Sequence, residues 1–196
     1  MSKQVEFYYD YGSPTTYLAW TQLPAICERY GAELIYRPML LGGVFKATGN
    51  ATPVQIKAKG AWMFADIARH AAHYGVAFEM NPHFIINTLA IMRGAIWAQG
   101  AGCLEDYNAA MFEAVWVNQR NLAEPAEISA VMGECGLDAE AMREAIQQPD
   151  IKTALIEATD AAVARGIFGA PTMFVGAEMH FGQDRLEWVA RTLATT

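Results

Sequence analysis

The fold is decided by one N-terminal stretch, Val5-Glu6-Phe7-Tyr8-Tyr9-Asp10-Tyr11-Gly12-Ser13-Pro14-Thr15-Thr16-Tyr17-Leu18. Four of its first five residues, all but Glu6, are β-branched or aromatic, which is typical of a buried strand. Asp10-Tyr11-Gly12 interrupts this pattern, and Ser13 and Pro14 then occupy the usual positions of a helix N-cap and a first helical residue. The stretch therefore predicts a strand that runs directly into the N-terminus of a helix.

That helix end is a candidate binding point. It would present unpaired N–H groups and a partial positive charge to whatever docks there, which suits a thiolate, a phosphate or another anion. Ser13 places a hydroxyl at the same point. Taken alone, Ser13 is more simply explained as a helix cap, because serine is common at that position.

Composition excludes several classes of function. The chain has 196 residues, of which 53% are hydrophobic, and a formal net charge of −7. No run of Lys or Arg is present, which argues against binding to nucleic acid or to an anionic membrane surface. Neither a signal peptide nor a membrane-spanning run is recognisable. The three cysteines are scattered and odd in number, so we expect a reducing, cytoplasmic location without a disulfide framework.

The order of predicted elements indicates two domains. A helix over 13–30 and a strand over 32–38 complete a βαβ unit. A loop is expected from Met39, followed by a block that is almost entirely helical. Near the C-terminus a hairpin of two short strands precedes a last helix. We therefore expect residues 1–40 plus 150–196 to form a small α/β domain, with residues 41–149 inserted as an all-helical domain.

Ala170-Pro171-Thr172 stands just before the third strand. Together with the order βαβ…ββα, this segment resembles the thioredoxin fold, in which it carries a cis proline that faces the start of helix one. The helical insertion resembles the branch of bacterial disulfide oxidoreductases, which place Cys-x-x-Cys at that start. This chain has Ser13-Pro14-Thr15-Thr16 instead, and dithiol exchange needs two thiols, so that activity is excluded.

Three motifs narrow the resemblance. They are Asp10-x-x-Ser13-Pro14-x-x-Tyr17-Leu18, Gly166-Ile167-Phe168-Gly169-Ala170-Pro171-Thr172 and Gly182-x-Asp184-Arg185-Leu186. In this order they resemble the 2-hydroxychromene-2-carboxylate isomerases and their relatives, the kappa-class glutathione transferases. The resemblance covers nearly the whole chain. It implies a glutathione-dependent enzyme, acting on a small aromatic oxoacid, that forms a homodimer.

The resemblance also implies roles for individual residues. Ser13 would be the catalytic residue, donating a hydrogen bond to the sulfur of glutathione and favouring its thiolate. The backbone of Ala170, before a cis Pro171, would pair with the tripeptide as an extra strand. The remaining cofactor-binding residues would be Asn50, Lys59, Asp66, Gln183 and Asp184.

Simpler interpretations exist for several of these residues. Pro171 could be an ordinary turn proline, Asp184 could only cap the last helix, and Lys59 could be a solvated helix residue. His70 and His73 lie three residues apart, but no third ligand is near in sequence, so we expect no metal site.

The substrate pocket is expected between the two domains. Arg69 and Arg93 are candidates for binding a substrate carboxylate. Aromatic candidates for its walls are Tyr11, Phe45, Trp62, Phe84 and Phe168.

Three functions remain open on the sequence. The first is cis–trans isomerisation of 2-hydroxychromene-2-carboxylate to trans-o-hydroxybenzylidenepyruvate by reversible addition of the glutathione thiolate. The second is a kappa-type transferase that conjugates glutathione to electrophiles. The third is a glutathione- or peptide-binding domain without catalytic activity.

Overall fold

A computed structural model describes residues 3–196 of the chain. The four strands are β1 (Gln4–Tyr9), β2 (Glu33–Pro38), β3 (Thr172–Val175) and β4 (Glu178–Phe181). The α-helices of these residues are α1 (Pro14–Tyr30), α2 (Leu41–Thr48), α3 (Lys57–Tyr74), α4 (Leu89–Ala101), α5 (Leu104–Trp116), α6 (Pro125–Glu134), α7 (Ala139–Ala145), α8 (Pro149–Ala164) and α9 (Leu186–Thr195). Short 3-10 turns cover Pro53–Gln55 and Gln183–Arg185.

The strands form one sheet in the order β2-β1-β3-β4. β1 pairs with β2 in parallel, and α1 connects these two strands. On its other edge β1 pairs with β3 in antiparallel orientation, and β3 and β4 form an antiparallel hairpin. The predicted βαβ and ββα halves therefore meet along β1. This arrangement, with helices between the two halves, is the predicted thioredoxin-like fold with a large helical insertion.

Alternation along β1 divides the core into two parts. Val5, Phe7 and Tyr9 are fully buried in the main hydrophobic core, which also contains residues of α1 and of most later helices. Tyr8 points to the opposite face and packs with Phe174 in a second cluster, which includes residues of α2 and α8. A period of two is what a strand covered on both faces requires.

The ends of α1 confirm the predicted first helix. Ser13 is the N-cap, and its side-chain oxygen accepts a hydrogen bond from the Thr16 N–H at 3.2 Å. Pro14 is the first helical residue. Gly31 ends the helix in the left-handed conformation at φ +62°, which glycine adopts without steric cost.

The loop predicted from Met39 is wrong, because residues 41–48 form α2. Gly42 and Gly43 suggested a loop, but Gly43 serves helix packing. A Cβ atom at Gly43 would lie 3.0 Å from Thr159 Cγ2, so glycine lets α2 approach α8 closely. The helix predicted from Pro53 to Tyr74 is a 3-10 turn followed by α3.

The main hydrophobic core is continuous from the sheet into the helices between β2 and β3. The division into a domain of residues 1–40 plus 150–196 and an inserted domain of 41–149 stays a prediction. Over the described range 3–196, no helix combines the length and the hydropathy needed to cross a membrane.

Candidate functional site

The turn after β1 is fixed by the buried carboxylate of Asp10, which is 1% exposed. Its Oδ1 accepts a hydrogen bond from the Gly12 N–H at 2.8 Å. Its Oδ2 accepts from the Leu41 N–H at 2.8 Å and from the Thr88 hydroxyl at 3.1 Å. Burial raises the pKa of Asp10, although these three donors oppose the rise. Asp10 thereby connects the turn to the first residue of α2 and to the residue before α4.

Sequence reasoning missed this role for Asp10 and assigned the residue only to a family pattern. The donors from Leu41 and Thr88 lie 31 and 78 residues away, so no local pattern could have indicated them. The consequence for the site is that the position of Ser13, three residues further on, is determined by the packing of α2 and α4.

Ser13 lies at the start of α1 and is 5% exposed. Its hydroxyl is 3.0 Å from the Thr15 hydroxyl and 3.3 Å from the carbonyl oxygen of Ala170. The Ala170–Pro171 peptide bond is cis, as the resemblance implies. The N-terminus of α1 and the segment before β3 therefore face each other, as predicted.

A cavity of about 460 Å³ opens beside this pair. Seven of the eight predicted site residues line it, and the eighth, Pro171, is buried next to the lining residue Ala170. The seven are Ser13, Asn50, Lys59, Asp66, Ala170, Gln183 and Asp184. Residues from five separate parts of the chain thus converge on one space, although their binding roles stay predictions.

The polar residues of the lining have different partners within the protein. Asn50 donates its side-chain amide to the carbonyl oxygen of Phe168 at 2.8 Å, which ties the loop after α2 to the segment before the cis proline. Asp66 forms an ion pair with Arg69 at 3.2 Å, and Asp184 forms one with Arg185. Lys59 is exposed and has no side-chain hydrogen bond or ion pair within residues 3–196.

The lining also includes aromatic side chains. Phe45, Trp62, Phe84 and Phe168 line the cavity, as predicted. Phe181 lines it too and packs against Phe168, with 4.7 Å between the ring centroids. Sequence reasoning missed Phe181, yet its position on β4 just before the 182–186 motif was an available signal.

Three residues predicted for the pocket, Tyr11, Arg69 and Arg93, do not line this cavity. Tyr11 is fully buried, and its hydroxyl donates to Asn108 Oδ1 at 2.6 Å because the turn directs it into the core. Arg93 lines a separate cavity of about 140 Å³ beside α8. Arg69 pairs with Asp66 and lies outside the lining. Lys59 is the single Lys or Arg among the described residues that line the site.

The chemistry available at the site follows from its lining. A helix N-terminus and a serine hydroxyl together stabilise an anion. None of the described lining residues is a cysteine, and burial raises the pKa of the Cys27 thiol to about 11 elsewhere in the fold. A thiolate at Ser13 would therefore have to come from a ligand.

Comparison with known proteins gives the same picture. Residues 4–194 match the family described as "DSBA-like thioredoxin domain". The chain is 31% identical over 191 residues to a 2-hydroxychromene-2-carboxylate isomerase of Sphingobium xenophagum, covering 96% of this chain and 97% of that protein. It is 29% identical over 207 residues to glutathione S-transferase kappa 1 of Homo sapiens, covering 98% and 92%.

Solved structures agree with these relatives. The structure of a 2-hydroxychromene-2-carboxylate isomerase superposes with a TM-score of 0.89 at 28% identity, covering 98% of this chain and 95% of that one. A probable DsbA oxidoreductase of Streptomyces coelicolor superposes with a TM-score of 0.77 at 19% identity, which supports the fold alone.

Proposed function

We propose that this chain is a glutathione-dependent isomerase. The chain belongs to the DsbA-like thioredoxin family and to its branch of 2-hydroxychromene-2-carboxylate isomerases and kappa-class glutathione transferases. Its substrate would be 2-hydroxychromene-2-carboxylate or a close relative. Its product would be the trans-o-hydroxybenzylidenepyruvate isomer.

The observation that carries the proposal is the position of Ser13. Its hydroxyl lies at the N-terminus of α1, 3.3 Å from the carbonyl oxygen before the cis proline, on the wall of the cavity. The aromatic side chains of the same cavity lining offer a surface on which the ring of an aromatic substrate can stack.

The cavity suits glutathione in size and in donor set. About 460 Å³ falls within the usual range for small-ligand pockets. The exposed Lys59 ammonium would bind a carboxylate of the tripeptide, and the carboxylate of Asp184 would bind its ammonium group. The backbone of Ala170 would pair with its cysteinyl residue, and Asn50, Asp66 and Gln183 would complete the contacts.

The protein's own contribution would be binding and charge stabilisation. Glutathione, when bound, supplies the thiolate nucleophile that makes rotation about the substrate double bond possible. Ser13 donates a hydrogen bond to that thiolate, which is worth about 1.5–3 kcal/mol, or about one to two units of thiol pKa. The N-terminus of α1 adds a favourable field for negative charge.

A direct assay tests the proposal. The purified protein is mixed with 2-hydroxychromene-2-carboxylate, and the absorbance of the enone product is followed with and without glutathione. We expect equilibration that requires glutathione and is slowed about 10- to 100-fold in Ser13→Ala, corresponding to the lost hydrogen bond. Equilibration at the same rate without glutathione would exclude this mechanism. Ser129→Ala, on α6 and outside the cavity lining, is the matched control.

One observation favours a kappa-type transferase as the second candidate. Lys59 is the single cation in the described lining, so once it binds glutathione no second Lys or Arg there is available for a substrate carboxylate. An uncharged electrophile needs no such partner. Conjugation of chlorodinitrobenzene without turnover of the chromene would establish the transferase; glutathione binding without either reaction would favour a non-catalytic domain. Homodimerisation and a cytoplasmic location stay predictions.

A further inference from the structure

Thr15 supplies the second hydroxyl of the site and has the same two neighbours as the Ser13 hydroxyl: the other hydroxyl and the Ala170 carbonyl. Thr15 is half-buried and lines the cavity. Its Oγ1 lies 3.0 Å from Ser13 Oγ and 3.4 Å from the carbonyl oxygen of Ala170. The Ser13 hydroxyl is within hydrogen-bond distance of the same carbonyl. The two hydroxyls therefore share one acceptor and contact each other.

The number of protons limits what this cluster can do. Each hydroxyl has one proton to donate and two lone pairs that can accept. The Thr16 N–H already occupies one lone pair of Ser13 Oγ. If the Ser13 proton goes to the Ala170 carbonyl, none is left for a ligand in the cavity. When Ser13 donates outward, the Ala170 carbonyl loses this donor and Ser13 Oγ keeps a lone pair that can accept, so a neighbouring hydroxyl can replace or support Ser13 in the cluster.

We infer that Thr15 is this replacement and acts as a positioning residue for the Ser13 proton. The Thr15 hydroxyl donates to Ser13 Oγ or to the Ala170 carbonyl, and the Ser13 O–H then points to the ligand. With Thr15 and Thr16 both donating to it, Ser13 Oγ would accept two hydrogen bonds, which polarises its remaining O–H. This inference rests on the proposed function, because it needs a bound thiolate to receive the proton.

The experiment measures the thiol pKa of bound glutathione from the ultraviolet absorbance of the thiolate as a function of pH. Thr15→Val removes the hydroxyl and keeps the branched shape, while Thr15→Ser keeps the hydroxyl. We expect Thr15→Val to raise the pKa of the bound thiol by about half a unit to one unit, the effect of one neutral hydrogen bond. We expect Thr15→Ser to restore the wild-type value.

Thr21→Val is the matched control on the same helix. The Thr21 hydroxyl donates to the Leu18 carbonyl at 2.7 Å, and Thr21 does not line the cavity. We expect Thr21→Val to leave the pKa of the bound thiol unchanged. Calorimetric binding of S-methylglutathione, which cannot form a thiolate, measures whether each variant still has an intact site, and we expect the same affinity for Thr15→Val as for wild type.

The outcomes separate the inference from the proposed function. A lowered thiol pKa in wild type that is unchanged in Thr15→Val would overturn the role of Thr15 alone. Loss of S-methylglutathione binding in Thr15→Val would show a structural role and would overturn the inference as well. A wild-type protein that binds no glutathione, or binds it with an unshifted thiol pKa, would overturn both.

Discussion

Two helices begin next to the end of β1, and their N-termini are satisfied in different ways. The first N–H of α2, from Leu41, donates to the carboxylate of Asp10, which is buried inside the protein. At the start of α1 the side chain of Ser13 accepts a hydrogen bond from one backbone N–H, and this end of the helix lines the cavity. One helix end therefore has its anion built in, whereas the other faces a place where an anion can bind.

This difference separates two roles within four residues of sequence: Asp10 stabilises the fold, and Ser13 is available to a ligand. Asp10 has three donors and no access to solvent, so its carboxylate is committed to the fold. Ser13 has a hydroxyl proton that the cap does not use. Substitutions at the two positions should therefore have separable effects on unfolding and on ligand binding.

The largest effect is expected for Asp10→Ala. The substitution leaves two backbone N–H groups and one hydroxyl without their acceptor in a buried place. We expect the free energy of unfolding to fall by about 3 kcal/mol, measured by urea denaturation. Asp160→Ala, at an exposed carboxylate on α8, should change it by less than about 0.5 kcal/mol. Equal losses in the two variants would remove the distinction drawn for Asp10.

The second effect concerns Ser13→Ala, which should change ligand chemistry more than it changes the stability of the fold. Losing the cap should cost only about 1 kcal/mol of unfolding free energy. The pKa of the bound glutathione thiol should rise by about one to two units, because a donor to the thiolate is lost. Thermal unfolding and ultraviolet titration measure the two quantities. A thiol pKa that does not move would place Ser13 with Asp10 as a purely structural residue.

The third effect is the pH dependence of the Asp10 contribution. Because burial raises the pKa of Asp10 in the folded protein above its ordinary value of 3.8, the native state binds a proton more readily than the unfolded state. The stability advantage of wild type over Asp10→Ala should therefore be greatest near and below that value and shrink as the pH rises. Urea denaturation of both proteins between acidic and neutral pH measures it. An advantage that grows with pH would mean that the three donors outweigh burial.

The smallest effect is expected at Lys59, where charge is presented by an exposed side chain and not by a helix end. Lys59→Met should weaken glutathione binding by about two- to fivefold, and added salt should reduce the difference. Lys57→Met is the matched control, since Lys57 is exposed two residues away on α3 and does not line the cavity. Calorimetry on both variants makes the comparison, and equal weakening would point to general surface charge.

The parts of the site that were predictable from sequence depend on local chemistry. Ser13-Pro14 marked the start of α1 because capping and proline geometry act within one turn. The family resemblance implied the cis proline and seven of the lining residues. The structure of α2 was not predictable in this way, because Gly43 is required by contact with Thr159, more than a hundred residues away. Tyr11 was misplaced for the same reason, since its partner Asn108 lies on α5.

The three hydrogen bonds to Asp10 also have a consequence for how the protein folds. They join residue 10 to residues 12, 41 and 88, so two of them close long loops of chain, which form late and slowly relative to local contacts. A fragment that ends before Leu41 contains β1, α1 and Ser13, yet it lacks two of the three donors. Ser13 would then reach its working position only after the chain has been synthesised well beyond Thr88.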